Sequence, residues 1–353
     1  MIERENQTFK APSNEDGSFL FGHKEQIAYL LNCIRTKQIP NAWLFHGPAG
    51  IGKASLALNV AKILSNKYIL KKDSLSDISE KDLRNSNASI RVNNIFFCKR
   101  KWDEKKKLFQ KNISIDDIRE LGRKFYLSST DYSYKVCIVD TTEDLNISAS
   151  NSLLKILEEP PKNTLFILVS NNKQSILPTI LSRCQKIGFQ RLNEGDLRNI
   201  SAGLFQENQF DQLKRTGALT TCDGSVKKLL NYLDKDYITF FNNMKKLLLD
   251  LPNFNKRKAI KLLTGNKEYL GNNDPDKSAF GVLLKLLAAL AKNEIDLLNN
   301  NKLVREEINL IAAHLYAQIS LLRHQSMEYN VDAKKVLFLA LNTIELAFAK
   351  YRK

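Results

Sequence analysis

An α/β domain on a doubly wound parallel sheet, followed by an all-helical region, is the fold class predicted by this 353-residue sequence. Three observations predict it. Short apolar runs alternate with helix-period segments from Ala42 to Phe189, as parallel βαβ units do. The first apolar run passes into a helical pattern through a glycine-rich turn. Beyond Asn193 no segment reads as a strand, and leucine-rich helical patterns continue to the end.

The elements follow in chain order. Residues 1–19 form a polar, charged lead. Leu20-Phe21-Gly22-His23 precedes a helical pattern from 24 to about 37, which Pro40 ends. Ala42–His46 reads as a buried strand, and Lys53–Leu64 places Leu56, Val60 and Leu64 on one helical face. Residues 66–92, rich in Ser, Asn, Lys and Asp, read as a helix end and surface loop. Ile95–Cys98 resumes as a strand, and the basic KRKWDEKKKLFQK of 99–111 suits a hairpin or an arm. Residues 115–125 have helical periodicity, with Ser114 as N-cap and Asp116 and Asp117 in the first turn. Lys135–Asp140 is an apolar strand ending in a carboxylate, 148–158 a helix closed by Pro160-Pro161, and Thr164–Ser170 another buried strand. A short helix at 176–181 and a last strand at 185–189 complete the α/β part. Patterns at 282–298, 308–322 and 334–349 typify the helical part.

The glycine-rich turn is Gly47-Pro48-Ala49-Gly50-Ile51-Gly52-Lys53-Ala54, a phosphate-binding loop complete except at its last position. The pattern G-x-x-x-x-G-K-[ST] uses glycines so that backbone N–H groups can curl around a phosphate. Its lysine reaches the β/γ oxygens and its final hydroxyl holds Mg²⁺. Ala54 stands where that hydroxyl belongs. Ser55 is one residue further on, rotated about 100° around the helix, and is expected to miss the metal. A strand, a glycine turn and a helix N-terminus still suit an anion. Tight, Mg²⁺-dependent binding is not expected, though ATP or ADP can be held weakly.

Composition limits the remaining possibilities. The length calls for more than one core, and 43% apolar residues are enough to build them. No window resembles a membrane span, and the charged N-terminus does not resemble a secretory signal, so a cytoplasmic protein without a membrane partner is expected. Cys33, Cys98, Cys137, Cys184 and Cys222 lie far apart and form no C-x-x-C pair, so neither a zinc site nor a disulfide framework is indicated. A net charge of +16 favours polyanions, yet a Lys/Asn/Ile-rich composition also follows from an AT-rich genome.

FGHKEQIAYLL, GIGKAS, KRKWDEKKKLF, ASNSLLKILEEPPKNTLFILVS and LPTILSRCQKI together resemble the delta-prime subunit family of bacterial DNA polymerase III clamp loaders, within the AAA+ superfamily. The likeness covers about residues 20–230. It implies that Asp140 is the Walker B acid and that Thr141 replaces the glutamate that polarises water in active ATPases. Threonine cannot act as a carboxylate base, so hydrolysis lacks its positioned group. Glu143 and Asp144 lie further into the loop, where a surface role is expected. The resemblance makes Arg183 of the SRC motif an arginine finger acting on a neighbour's site. It also suggests Ser170 and Asn171 as a sensor or a turn cap, and Lys227 or Lys228 in place of a second-sensor arginine. The four-cysteine zinc module of many relatives is missing, since only Cys98 lies in that region.

These features predict a polar lead (1–19), an AAA+ P-loop domain (20–191), a small helical lid (192–236) and a helical collar (237–353). The partners implied are gamma/tau and delta subunits in a hetero-pentamer, and through them the sliding clamp and primed DNA. The competing readings are an active gamma-type ATPase, which Ala54 and Thr141 oppose, and a charge-driven nucleic-acid-binding module, for which no recognised motif appears.

Overall fold

The computed structural model describes residues 22–65, 78–84, 94–103, 108–110, 112–127, 134–204, 221–232, 234–251, 253–266, 269, 278–292, 302–329 and 331–349. The polar lead, most of 66–92, residues 104–107 of the basic segment and 205–220 of the expected lid lie outside them. The chain divides into two compact units, Met1–Leu204 and Phe205–Lys353. The division falls after Leu204, so the helix Glu194–Leu204 belongs to the first unit.

In the first unit the order is α1 (Lys24–Arg35), β1 (Ala42–His46), α2 (Lys53–Leu64), α3 (Glu80–Arg84), β2 (Ile95–Cys98), β3 (Trp102–Asp103), β4 (Leu108–Phe109), α4 (Ile115–Leu127), β5 (Lys135–Asp140), α5 (Ile147–Glu158), β6 (Thr164–Ser170), α6 (Pro178–Leu181), β7 (Gln185–Gly188) and α7 (Glu194–Leu204). Five strands pair in parallel in the order β2-β5-β6-β1-β7. Such a sheet needs cover on both faces, which is why β6 is buried at all seven positions.

The period of two divides the core into two clusters. Trp43, Phe45, Val136, Ile138, Leu165, Ile167 and Val169 meet α1 and α2 through Ile27, Leu30, Leu56 and Val60. Ala42, Leu44, Cys137, Val139, Phe166 and Leu168 meet α4 and α5 through Ile118, Phe125, Leu153 and Leu157. Each fully buried side chain of this size contributes roughly 1.5–3 kcal/mol relative to exposure.

The ends follow local chemistry. Ser114 and Asp117 form a capping box: Ser114 Oγ accepts from the Asp117 N–H (3.3 Å) and Asp117 Oδ2 accepts from the Ser114 N–H (2.9 Å). Asn146 Oδ1 accepts from the Ala149 N–H (2.8 Å), so α5 begins one residue before the predicted start. Pro178 at the first turn of α6 delays that helix relative to the pattern. In the polar 66–92 stretch, α3 forms because Leu83 is fully buried and Asn59 Nδ2 donates to its carbonyl (2.8 Å). The basic segment is a hairpin, with Trp102 opposite Phe109 in an antiparallel pair.

The second unit is helical among its described residues: α8 (Val226–Asn231), α9 (Lys235–Leu249), α10 (Lys256–Gly265), α11 (Ala279–Ala291), α12 (Lys302–Glu328) and α13 (Ala333–Ala349). Tyr237, Phe241 and Tyr232 build an aromatic cluster under α9. Lys256 Nζ bonds Glu345 (2.9 Å) and Asn342 (2.9 Å), fastening α10 to α13. Among the described residues no helix is long and apolar enough to cross a membrane.

Candidate nucleotide-binding site

The phosphate loop leaves β1 at His46 and enters α2 at Lys53. The Gly47 N–H donates to the Ser170 carbonyl (3.2 Å), fixing the loop to the neighbouring strand. Gly47 has φ +151°, and a Cβ there would strike the Phe189 carbonyl oxygen. Gly52 caps α2 in a left-handed conformation (φ 99°), which turns the chain into the helix. Pro48, Ala49 and Gly50 form the crest, and Ile51 anchors it, being only 2% exposed. His23 Nε2 donates to the Ile51 carbonyl (2.8 Å), and its ring stands edge-on to Phe189 (5.1 Å). The sequence carried no signal for this support beyond a histidine before the first helix.

Lys53 is buried and turned into its own loop. Its Nζ donates to the carbonyls of Gly47 (2.8 Å) and Pro48 (2.5 Å) and to Asn171 Oδ1 (3.0 Å). Burial lowers its pKa to about 8, against the opposing pull of Glu143 and then Asp140. His46 is also held below its ordinary value, by burial and then by Lys173, Lys186 and Lys53. Ala54 contributes no oxygen, and Ser55 is exposed.

The acidic wall comes from the β5 end. Burial raises the Asp140 carboxyl above the ordinary aspartate range, although Lys53 pulls the other way. The Thr141 hydroxyl donates to Asp144 Oδ2 (2.7 Å), which also pairs with Arg100 Nε (3.1 Å) at the hairpin base. Glu143 is half-buried. Its Oε1 accepts from the Asn171 N–H (2.8 Å), while its Oε2 is buried without a hydrogen-bond partner. Ser170 is fully buried, and its Oγ caps the turn by accepting from the Asn172 N–H (3.1 Å). Thus Ser170 caps, while Asn171 reaches the lysine.

These residues can cradle an anion through the glycine loop and the α2 N-terminus. They suit magnesium poorly, because Ala54 lacks the hydroxyl and the Thr141 hydroxyl is engaged by Asp144. Among the described residues no cluster of three or more His, Cys, Asp or Glu could hold a metal ion.

Two further sequence candidates lie elsewhere. Arg183 precedes β7, at the N-terminal ends of the strands, whereas the phosphate loop follows their C-terminal ends. All of β7 therefore lies between them, so they are separated by more than its length of roughly 13 Å. The Arg183 side chain is 38% exposed; Nη2 pairs with Glu158 Oε1 (2.7 Å) and Nη1 donates to the Thr179 carbonyl (3.0 Å). Lys227 is exposed in the first turn of α8, in the second unit.

The fold and site define an α/β protein with a parallel five-stranded sheet, a glycine-rich phosphate loop and a helical C-terminal part. Residues 22–193 match the family described as DNA polymerase III, delta subunit. The chain is similar to the DNA polymerase III subunit tau of Bacillus subtilis, 29% identical over 232 residues, covering 61% of this chain and 36% of that protein. It is 26% identical over 251 residues to the DNA polymerase III subunit gamma of Buchnera aphidicola, covering 66% and 63%. The chain thus spans less than two thirds of the length of either relative. Among solved structures, a DNA polymerase III gamma subunit-related protein of Thermotoga maritima shares the fold, with TM-score 0.52 and 16% identity over 92% of this chain and 99% of that one.

Proposed function

We propose that this chain is a delta-prime-type subunit of a bacterial replicative clamp loader. In this role it hydrolyses no ATP, lends Arg183 to a neighbouring ATPase subunit, and helps load a sliding clamp onto primed DNA. The observation that carries the reading is the state of the phosphate site: its loop is formed, yet both groups hydrolysis needs are replaced, by Ala54 and Thr141. The exposed position of Arg183, at the far end of the sheet from its own loop, suits action in trans. Gamma/tau and delta subunits are the proposed partners in a hetero-pentamer, and no cofactor is required.

Residues 237–353, the larger part of the helical second unit, are the proposed collar. Leu310, Leu321 and Leu346 are 74%, 57% and 65% exposed on α12 and α13, and the first and last border a shallow cavity of about 870 Å³. Apolar surface of this kind supports a role in subunit contact.

The alternative is an active gamma-type ATPase, favoured by the gamma and tau names of the similar proteins. ATPase turnover of the purified chain separates the two. Negligible hydrolysis, with or without primed DNA, is expected. A DNA-stimulated rate on the order of 1 s⁻¹ would establish the gamma-type reading instead.

A further inference from the structure

Lysine carries three N–H donors, and all three at Lys53 already have acceptors: the Gly47 and Pro48 carbonyls and Asn171 Oδ1. A phosphate can approach the ammonium only by displacing one of them. The positive charge is answered as well. Of the charged groups acting on Lys53, Glu143 acts most strongly, ahead of Asp140. Glu143 is held in place by the N–H of Asn171, the residue whose side chain receives the Lys53 bond. Its second oxygen is buried and makes no hydrogen bond. A buried carboxylate oxygen in that condition is costly unless an opposite charge lies close by.

We propose that Glu143 is an internal counter-charge that stands in for the terminal phosphate of a nucleotide at Lys53, and so sets the low nucleotide affinity of this loop. Asn171 joins the two through its main chain on one side and its side chain on the other. A di- or triphosphate entering the loop meets a fixed negative charge where it needs a positive one, and finds the lysine donors already committed. The proposal concerns only the geometry of the phosphate loop. It stands or falls separately from the assignment of the chain to a clamp loader.

The test is the affinity of the full chain for a fluorescent ADP analogue, titrated without Mg²⁺. Glu143→Gln keeps the shape and the acceptor for the Asn171 N–H while removing the charge. Its affinity is expected to exceed that of the native chain by roughly tenfold or more. Glu143→Ala should shift in the same direction, with thermal melts checking that both variants remain folded. Lys53→Ala should abolish the gain in the Glu143→Gln background. Equal or weaker binding by a folded Glu143→Gln, or no binding by either protein at millimolar nucleotide, would overturn the proposal. So would measurable ATP hydrolysis by the native chain that Glu143→Gln abolishes, because Glu143 would then be a catalytic carboxylate.

Discussion

The Arg183 guanidinium rests on the carboxylate of Glu158, with Nη2 and Oε1 2.7 Å apart and both side chains more than a third exposed. Glu158 closes α5, and Arg183 lies in the turn between α6 and β7. The pair therefore links two motifs that the sequence presents separately, LEEPP and SRC. In water-screened surroundings such a pair stabilises the fold by about 0–1 kcal/mol. Arg183→Ala should accordingly leave the melting temperature of the chain nearly unchanged and leave assembly intact. If Arg183 completes a neighbour's site, ATPase of the assembled loader should fall roughly tenfold or more at that site. Arg183→Lys should remain defective, since a lysine keeps the charge without the planar fork. Normal DNA-dependent ATPase and clamp loading by the Arg183→Ala complex would remove the finger from the mechanism.

Ala54→Ser restores the missing hydroxyl at the start of α2. It should introduce Mg²⁺ dependence into nucleotide binding without producing turnover, because Thr141 remains and its hydroxyl is bonded to Asp144. Calorimetry with and without Mg²⁺, alongside a phosphate-release assay, reads both effects. Hydrolysis by the single variant would show that Thr141 is no obstacle.

Much of this architecture was legible because a parallel sheet covered on both faces writes continuous apolar runs. TLFILVS matches β6 to the residue, and KVCIVD matches β5. Long polar-flanked helices were less legible: the pattern at 308–322 marks only the middle of α12, whose ends reach Lys302 and Glu328. In the site, the glycine loop and Asp140 announce themselves by spacing. The bond from Lys53 to Asn171 joins residues 118 positions apart and leaves no local trace. The partial burial of Glu143 left no local trace for a similar reason. A carboxylate just after a strand looks solvated until the neighbouring strand end closes over it.

Two loop glycines should differ in what they tolerate. Gly47→Ala drives a Cβ into the Phe189 carbonyl at an unfavourable φ, whereas at Gly52 nothing lies within 4 Å and only the left-handed φ opposes a side chain. Gly52→Ala should cost about 1–2 kcal/mol, and Gly47→Ala distinctly more. Urea unfolding of the two variants measures the order, and a milder Gly47→Ala would mean that the loop shifts away from Phe189.

Cys98 is buried and its thiol is pushed up to about 12, by burial and then by Asp117. Thiolate is the reactive and metal-binding form. Cys98 should therefore resist thiol reagents at pH 8 until the chain unfolds, and metal analysis should find no stoichiometric zinc. Rapid labelling of Cys98 in the native chain, or one zinc per molecule, would contradict this account of the hairpin region.

Lys53 gives the site a pH dependence whose sign can be worked out. Its folded pKa of about 8 lies below the ordinary 10.5, chiefly through burial. Between these values the unfolded chain binds the extra proton and the folded chain does not, so this residue makes stability rise with pH across that window. Nucleotide binding should run the other way. Below about pH 8 the ammonium is charged and can attract phosphate; above it the neutral amine cannot, unless binding itself takes up a proton. Whatever affinity the loop has for ADP should therefore fall between pH 7 and pH 9, and at pH 9 binding should consume protons. Calorimetry in two buffers of different ionisation enthalpy detects that uptake. Lys53→Arg, which stays charged throughout, should lose the pH dependence. An ADP affinity that is flat across this range in the native chain would mean that Lys53 remains fully protonated at pH 9 or takes no part in holding the phosphates.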